Sequence, residues 1–200
     1  MQVRELAVPG ALEITPRQFG DDRGTFLELF KDAAFAEATG HRFDLVQVNC
    51  SVSHRGVLRG IHFADVPPGQ AKYVTCVRGA VLDVAVDIRV GSPTFGQWDS
   101  VLLDTVDRRA IYLPEGLGHA FLALEDDSTV VYLCSTGYAP EREHEIHPLD
   151  PALAITWPND IAALLSPKDE AAPTLAQAQL LGLLPDFAAT NAYVSSRKGR

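Results

Sequence analysis

The 200-residue sequence lacks an excess of basic residues, a long apolar run and a paired-cysteine motif. Its net charge of -9 disfavours non-specific binding to nucleic acid or to an anionic membrane, because both need a basic surface. The best apolar run, VLDVAVDIRV, is interrupted by Asp83 and Asp87 and is too short to span a bilayer. The sequence therefore predicts a globular protein that binds neither nucleic acid nor membrane.

Cysteine is scarce, and Cys50, Cys76 and Cys134 form neither a CxxC motif nor a zinc-binding spacing. All three lie in apolar, strand-like runs, so we expect buried, reduced thiols. The N-terminal segment MQVRELAVPG has no apolar region of the kind found in signal peptides. These features together predict a cytoplasmic protein.

Short strand-like runs separated by Gly/Pro turns extend from about residue 12 to 157. Residues alternate between polar and apolar in LVQVNCSVS and VLDVAVDIR, and turn signals recur in DDRG, VGSPTFG, PEGLG and EDDS. Many short, regularly punctuated strands predict an all-β sandwich or barrel. One helix is predicted within FKDAAFAEATG, ended by Gly40.

The pattern changes after Trp157, where the sequence becomes rich in alanine and leucine. This part predicts short helices, with Thr174 as a possible N-cap. We expect a single domain in which a strand-rich part, residues 1–158, carries a helical extension, residues 159–200, packed on it. The final segment SSRKGR is expected to fray.

His62 lies in the apolar stretch RGIHFADV, where a lone histidine is more often a core residue than a catalyst. Gly60 and Arg59 precede it, and Lys72 follows ten residues later at the start of the next predicted strand. A simple pleat would place Arg59 and His62 on opposite faces. If both serve one site, a bulge or bend near Gly60 is required.

A second histidine, His119, ends the PxGxxH pattern in YLPEGLGHAF, which resembles the second signature of the cupin β-barrels. Metal-binding cupins carry another histidine two positions after the first, and here that position is Ala64. Two histidines make a poor metal site, and the ammonium of Lys72 would repel a divalent cation. We therefore expect no metal, and a metal-dependent oxygenase is disfavoured.

Longer blocks carry a more specific resemblance. They are RQFGDDRGTFLELF, QVNCSVSHRGVLRGIHF, PPGQAKYVTCVRGAVLDVAVDIRVGSPTFG, GLGHAFLALEDDSTVVYLCSTGYAPEREHEIHPLDP and LSPKD. In combination, from about residue 3 to 185, they resemble the dTDP-4-dehydrorhamnose 3,5-epimerases, metal-independent cupins of deoxysugar nucleotide biosynthesis. The resemblance implies a cupin jelly-roll barrel, a dTDP-sugar substrate and no cofactor. It also implies a homodimer in which the N-terminal segment completes the neighbour's active site.

In that family the C4 ketone of dTDP-4-keto-6-deoxy-D-glucose acidifies the protons on C3 and C5, and each carbon is inverted through an enolate. The reaction needs a base, a cation or donor at O4, and an acid on the opposite face. The resemblance implies His62 as the base, Lys72 at the enolate oxygen and Tyr132 as the acid. It implies Asp169 of LSPKD as the carboxylate that orients His62, with Asp83 as the alternative.

The same resemblance implies residues that bind the nucleotide and the sugar: Arg23, Glu28, Gln47, Asn49, Arg59, His119, Tyr138, Glu143 and Lys168. Guanidinium and ammonium groups suit a diphosphate, and the ring of Tyr138 suits stacking on thymine. Without the resemblance, Arg23, Glu28, Glu143 and Lys168 would be interpreted as solvated surface charges.

Other functions stay open. A C3-only mono-epimerase of an antibiotic deoxysugar pathway shares the fold and the substrate, and the presence of His119 and Tyr132 favours double epimerisation over it. A ketoisomerase of a related nucleotide sugar would use the same base between C3 and C4. A non-catalytic cupin would bind dTDP without exchanging sugar protons. The joint presence of His62, Lys72 and Tyr132 argues against the last of these.

Overall fold

A computed structural model of the chain describes residues 1–197. Strands dominate these residues and pair antiparallel in every ladder between them. The strands are β1 (Gln2–Glu5), β2 (Leu12–Thr15), β3 (Gln18–Asp21), β4 (Gly24–Leu27), β5 (Gln47–Ser53), β6 (Leu58–Ala64), β7 (Lys72–Arg78), β8 (Ala80–Val86), β9 (Trp98–Asp104), β10 (Ala110–Leu113), β11 (Gly118–Ala123), β12 (Ser128–Cys134) and β13 (Glu143–Glu145). The helices are α1 (Asp32–Thr39), α2 (Pro167–Glu170), α3 (Leu175–Leu180) and α4 (Phe187–Arg197).

Two sheets face each other across the core. One has six strands in the order β1-β2-β10-β7-β12-β5, and the other has five in the order β13-β6-β11-β8-β9. Residues such as Val74, Val81, Leu103, Phe121 and Val130 fill the space between the sheets and are almost wholly buried. Alternation places these apolar side chains inward on both sheets, which is how a strand pattern of period two builds a core between two sheets. The chain is an all-β cupin jelly roll with short C-terminal helices, as predicted.

The segment after β13 covers the outer face of the five-stranded sheet. Leu153, Leu175 and Ala178 pack there against Val84 and Val86, so both faces of β8 are buried. Burial of both faces explains why every residue of β8 except Asp83 is apolar. None of the helices between residues 1 and 197 has the length and hydropathy that crossing a bilayer requires.

The predicted helix ends are present. Gly40 caps α1 with φ 77°, a left-handed conformation that glycine adopts without strain. Thr174 caps α3, and its hydroxyl accepts from the backbone N–H of Gln177. The predicted fraying is wrong for residues 195–197, because α4 continues to Arg197, which forms ion pairs with Asp44 and Glu115. Residues 198–200 lie outside the described part of the chain.

Strand β5, at one edge of the six-stranded sheet, turns its apolar side chains outward and its polar side chains inward, the reverse of an ordinary surface strand. Its polar residues Gln47 and Asn49 are half-buried, whereas Val48 and Val52 are exposed. Cys50 lies on the same exposed face, so the expectation that all three cysteines are buried is wrong for this one. The reason is that the interior beside β5 is polar, and the alternation therefore turns the apolar set outward.

Candidate active site

His62 and Arg59 reach the same cavity because β6 contains an irregularity. Across the ladder with β11, His62 pairs with His119 but Arg59 pairs with Phe121, so β6 has one residue more than its partner. Gly60 lies inside this bulge at φ 116°, and a Cβ there would lie 2.5 Å from the carbonyl oxygen of His119. Only glycine fits at this position. The bulge that the sequence required for a shared site is therefore present.

Asp169, the preferred sequence candidate, is the carboxylate that contacts His62. The Nε2 atom of His62 lies 2.7 Å from Oδ1 of Asp169, and Asp169 is almost wholly buried. Burial raises the pKa of this carboxyl, but hydrogen bonds from His62 and Ser166 outweigh burial and hold the pKa below its usual value. An ionised carboxylate only accepts hydrogen bonds, so in the neutral imidazole Nε2 carries the proton and Nδ1 has the free lone pair.

Asp83, the alternative candidate, contacts the other histidine instead. Its two carboxylate oxygens lie 2.9 and 3.0 Å from Nε2 of His119, and Asp83 is fully buried. The two residues lie on neighbouring strands, β8 and β11, where Asp83 pairs with Phe121. His119 is thus held by a carboxylate within the sheet, whereas His62 is held by one from the C-terminal segment.

Lys72 faces the histidines from the opposite sheet. His62, Lys72, His119 and Glu143 line one cavity, here called the inner cavity, together with apolar side chains. Burial lowers the pKa of the Lys72 ammonium, although the carboxylates of Glu143 and Asp83 act in the other direction. A cation in a water-poor cavity, opposite a histidine with a free lone pair, is suited to stabilise a developing oxyanion.

Tyr132 points into the barrel interior from β12. It packs against the buried core, and its strand neighbours Val130 and Cys134 on the same face are buried. Burial raises the pKa of its phenol, with Arg59 and a hydrogen bond from Asn49 acting in the other direction. Asn49 is its direct partner across the β12–β5 ladder. A phenol with a raised pKa stays protonated at neutral pH and is able to donate a proton.

A second cavity, here called the outer cavity, adjoins the inner one and shares His62 and Glu143 with it. It has a volume of about 250 Å³, just below the range of about 300 to 1,000 Å³ that is typical of small-molecule sites. Arg59, Tyr138 and Lys168 line it, so two cations and an aromatic ring lie next to the His62–Asp169 pair. Tyr138 is exposed, which leaves its ring free to stack on a planar ligand.

Gln47 lies at the edge of the outer cavity, where its side-chain carbonyl accepts from the backbone N–H of Tyr138 at 3.0 Å. Its amide nitrogen donates to Asn49 at 2.8 Å. These two residues therefore extend the site along the inward face of β5. Their contacts hold the turn that carries Tyr138.

Five predicted residues line neither cavity. Tyr132, Gln47 and Asn49 lie on the paired strands β12 and β5 close to the site, whereas Arg23 and Glu28 lie in another part of the described chain. Arg23 is in the turn of the β3–β4 hairpin and pairs with Asp21. Glu28 follows β4 and pairs with Lys31. The hairpin is a separate two-stranded sheet and lines neither the inner nor the outer cavity.

Three residues at the site were missed in the sequence. Glu145 forms an ion pair with Lys168 in the outer cavity, and this contact raises the pKa of the Lys168 ammonium. The hydroxyl of Ser53 accepts from Nε of Arg59 at 3.2 Å. Ser166 contacts Asp169. Only the short separation between Ser166 and Asp169 in SPKD could have been noticed in the sequence.

Within residues 1–197, no group of three His, Cys, Asp or Glu side chains is placed to hold a metal ion. Ala64, where metal-binding cupins have their second histidine, pairs with Glu143 across the β6–β13 ladder. The inner cavity combines an oriented imidazole and a buried ammonium, and the phenol of Tyr132 lies on β12, the strand that pairs with that of Lys72. These groups are suited to removing a carbon-bound proton and stabilising the resulting enolate.

Comparisons with known proteins agree with this chemistry. A family model described as dTDP-4-dehydrorhamnose 3,5-epimerase matches residues 5–177. An enzyme named dTDP-4-dehydrorhamnose 3,5-epimerase from Mycolicibacterium smegmatis is 63% identical over 196 residues, which cover 98% of this chain and 96% of the relative.

Two solved structures are also similar. The rmlC epimerase of Mycobacterium tuberculosis is 58% identical with a TM-score of 0.96, covering 98% of this chain and 100% of that one. A double mutant of ChmJ, a 3'-monoepimerase from Streptomyces bikiniensis in complex with dTDP, is 53% identical with a TM-score of 0.95, covering 98% of each chain. The histidine and the tyrosine replaced in that mutant are as far apart in sequence as His62 and Tyr132. This chain belongs to the dTDP-4-dehydrorhamnose 3,5-epimerase family.

Proposed function

We propose that this chain epimerises C3 and C5 of dTDP-4-keto-6-deoxy-D-glucose to give dTDP-4-keto-L-rhamnose. The observation that carries the proposal is the convergence of the His62–Asp169 pair and Lys72 on the inner cavity. Membership of the epimerase family and the 63% identity with a relative named as a 3,5-epimerase support the same reaction.

In this proposal His62 removes a proton from the carbon next to the ketone. The lone pair on Nδ1 accepts the proton, because Nε2 is bound to Asp169. Lys72, which lines the same cavity, stabilises the enolate oxygen, and His119 beside it binds the sugar. Tyr132 then returns a proton to the opposite face, which inverts the carbon. The ketone accepts the electron pair, so the reaction needs no cofactor.

The nucleotide is proposed to occupy the outer cavity. Arg59 and Lys168 neutralise the diphosphate, Tyr138 stacks on the thymine, and Gln47, Asn49 and Glu143 bind polar groups of the ligand. This placement is supported by the position of Arg59, Tyr138 and Lys168 around one open space. It puts the sugar next to the inner cavity, because His62 and Glu143 belong to both.

A C3-only epimerase is the second candidate, because one observation is compatible with both reactions. The monoepimerase ChmJ has a histidine and a tyrosine at the same spacing as His62 and Tyr132. A tyrosine at this position therefore does not distinguish single from double epimerisation. We retain the double reaction because of the higher identity with the 3,5-epimerase relative.

The deciding experiment follows the sugar protons by NMR during incubation with dTDP-4-keto-6-deoxy-D-glucose in deuterated water. Deuterium at C3 and C5, with an L-configured product trapped by a rhamnose-forming reductase, is the expected result. Deuterium at C3 alone would make the protein a mono-epimerase. A His62→Asn variant controls for contaminating activity. Binding of dTDP without any exchange into the sugar would contradict the proposal.

We further propose a homodimer in which Arg23 and Glu28 complete the partner's site. Two surfaces support it. The edge strand β5 and the residue before it expose Val46, Val48 and Val52, each more than half accessible. The detached β3–β4 hairpin exposes Phe26, which is 67% accessible. Contiguous exposed apolar surface of this kind is typical of protein interfaces.

Subunit complementation tests this arrangement. Arg23→Ala and His62→Asn are each expected to lose most activity as homodimers. The two variants are then co-expressed to give a mixed dimer of one subunit of each kind. If Arg23 acts across the interface, one of its two sites combines wild-type His62 of one subunit with wild-type Arg23 of the other, and activity returns. If Arg23 acts within its own chain, the mixed dimer stays inactive. Light scattering checks that both variants remain dimeric.

Two broader features complete the proposal. We propose a single domain in which residues 1–158 form the jelly roll and residues 159–200 form an extension on it, supported by the packing of Leu175 and Ala178 against β8. A cytoplasmic location is supported by the three free thiols.

A further inference from the structure

Ser166 is the residue immediately before α2, and its hydroxyl makes two contacts with one neighbour. It accepts from the backbone N–H of Asp169 at 3.1 Å, which is an N-cap hydrogen bond. It also donates to Oδ2 of Asp169 at 2.8 Å. A hydroxyl has one donor and two acceptor positions, so both contacts exist at once.

Asp169 is therefore held at both oxygens. Oδ1 contacts Nε2 of His62 at 2.7 Å, and Oδ2 receives the hydroxyl of Ser166. The terminal torsion of an aspartate is broad and roughly two-fold, so a single contact orients the carboxylate weakly. With a donor on each side, the plane of the carboxylate is defined, and with it the orientation of the His62 ring.

A comparison with α3 shows that this contact is more than capping. In α3, Thr174 caps the helix and the side chain of Gln177, at the third helical position, turns back to accept from the backbone N–H of Thr174. In α2 the residue at the equivalent position is Asp169, and its side chain is directed to His62 instead. The hydroxyl of Ser166 donates a hydrogen bond to that carboxylate, and this contact is not needed to cap the helix.

We infer that Ser166 is a positioning residue, the third member of a Ser166–Asp169–His62 chain that orients the proposed base. Its role rests on the proposed function, because it acts only through the imidazole. Pro167 fixes the backbone between the serine and the aspartate and supports this geometry. Loss of the hydroxyl leaves the carboxylate free to rotate and the His62 ring less well aligned.

The test uses three substitutions of Ser166 and one matched control. Ser166→Ala removes both contacts. Ser166→Gly also removes the hydroxyl, but glycine is a tolerated N-cap, so the helix is less perturbed. Ser166→Thr keeps the hydroxyl. Thr174→Ala removes the cap of α3, away from His62, and controls for the loss of a cap alone.

We expect Ser166→Ala and Ser166→Gly to lower kcat by about 10- to 100-fold with little change in KM, because misalignment of a catalytic group has effects of this size. Ser166→Thr should restore most of kcat. Thr174→Ala should lower the melting temperature without changing kcat. In the free protein, the downfield proton resonance of His62 Nε2–H should broaden or disappear in the alanine and glycine variants and remain in the threonine variant.

Wild-type kcat together with an unchanged resonance in Ser166→Gly would overturn the inference and leave Ser166 as a cap only. If Ser166→Ala folds poorly, the glycine and threonine variants still decide the question. Failure of the proposed function has a different signature: the wild-type protein would show no deuterium exchange into the sugar. The resonance of His62 would then still report whether Ser166 orients the pair.

Discussion

The histidines of the two histidine–aspartate pairs lie side by side in one sheet, but the pairs differ in exposure and in the origin of the aspartate. The side chain of His62 is 40% exposed and its partner Asp169 comes from the C-terminal segment. The side chain of His119 is 9% exposed, and its partner Asp83 is fully buried on the neighbouring strand. An accessible imidazole with one free nitrogen is suited to accept a proton from a ligand. A buried imidazole held inside a sheet is suited to a fixed role in binding.

The difference shows how one barrel holds two similar pairs in different surroundings. His62 is opened to the cavity by the bulge at Gly60, and its carboxylate arrives from outside the barrel. His119 lies in a regular ladder with β8, and its carboxylate partner, Asp83, belongs to that neighbouring strand. The following expectations test this contrast, from the largest effect to the smallest.

The largest contrast is expected between Asp169→Asn and Asp83→Asn. An amide at position 169 donates to Nε2 of His62 and so stabilises the wrong tautomer, with the proton on Nδ1. The same kind of change in a serine-protease triad lowers kcat by about 10⁴-fold, and we expect a loss of about 10³- to 10⁴-fold here. Asp83→Asn should act mainly on KM. Steady-state kinetics measures both, and equal losses of kcat would remove the proposed division of roles.

Lys72→Met should lower kcat by about 10²- to 10³-fold, the typical value of one preorganised donor at an oxyanion. The free energy of unfolding at pH 7 should rise. Burial lowers the pKa of Lys72 in the folded protein, so its charged form destabilises the fold at every pH below that lowered pKa. The penalty fades as pH rises towards the unfolded value of 10.5.

Urea unfolding at pH 7 measures this gain. Lys31→Met, at an exposed lysine, is the control and should change the free energy of unfolding by less than about 0.5 kcal/mol. A Lys72→Met variant that is less stable than wild type would show that the ammonium is better compensated by its neighbours than we expect.

Tyr132→Phe separates proton removal from proton return. Formation of the inverted product should fall by about 100-fold, because the proposed acid is lost. Exchange of the sugar protons with deuterated water should fall much less, since His62 still removes them and returns deuterium to the same face. NMR detects labelled but uninverted sugar. Equal losses of exchange and of product would instead place Tyr132 in the removal step.

The two pairs should also differ in stability. Asp83→Ala leaves Nε2 of buried His119 without its partner, a defect that costs about 1 to 3 kcal/mol of unfolding free energy. Asp169→Ala should lower the unfolding free energy by less than this, because water can reach the half-exposed ring of His62 and replace the lost hydrogen bond. Urea titrations of both variants give the comparison. A greater loss for Asp169→Ala would mean that its contacts with the α2 turn dominate.

The smallest effect concerns acid pH. The pKa of Asp169 is lowered in the folded protein, so its ionised form stabilises the fold fully above the unfolded value of 3.8. This contribution is lost as pH falls below 3.8 through the lower folded pKa. The difference in stability between wild type and Asp169→Asn should therefore be flat at neutral pH and shrink only in strong acid. A decline beginning near pH 6 would point to a different group.

Much of the fold was visible in local patterns. Alternation and Gly/Pro turns predicted the strands, and the ends of α1 and α3 at Gly40 and Thr174 were each marked by one residue with a specific backbone role. The bulge near Gly60 was required by simple pleat geometry, given that Arg59 and His62 share a site. These features are predictable because they depend on residues close together in sequence.

The contacts that join distant segments were not predictable in the same way. Whether Asp83 or Asp169 would meet His62 depended on where the C-terminal segment crosses the barrel. Cys50 was misplaced because alternation shows which residues share a face but not which face is inside. Glu145 gave no signal at all, since its importance comes from Lys168, which lies on a different element.

The amino-acid sequence alone was enough for the strand-rich architecture, the family resemblance and the types of side chain that the reaction needs. These depend on residue chemistry and on periodicities of a few residues. The pairing of His62 with Asp169, of His119 with Asp83 and of Ser166 with Asp169, and the outward face of β5, come from the packed barrel. Each depends on which surfaces are buried together, and burial is a property of the whole chain and not of any short stretch of it.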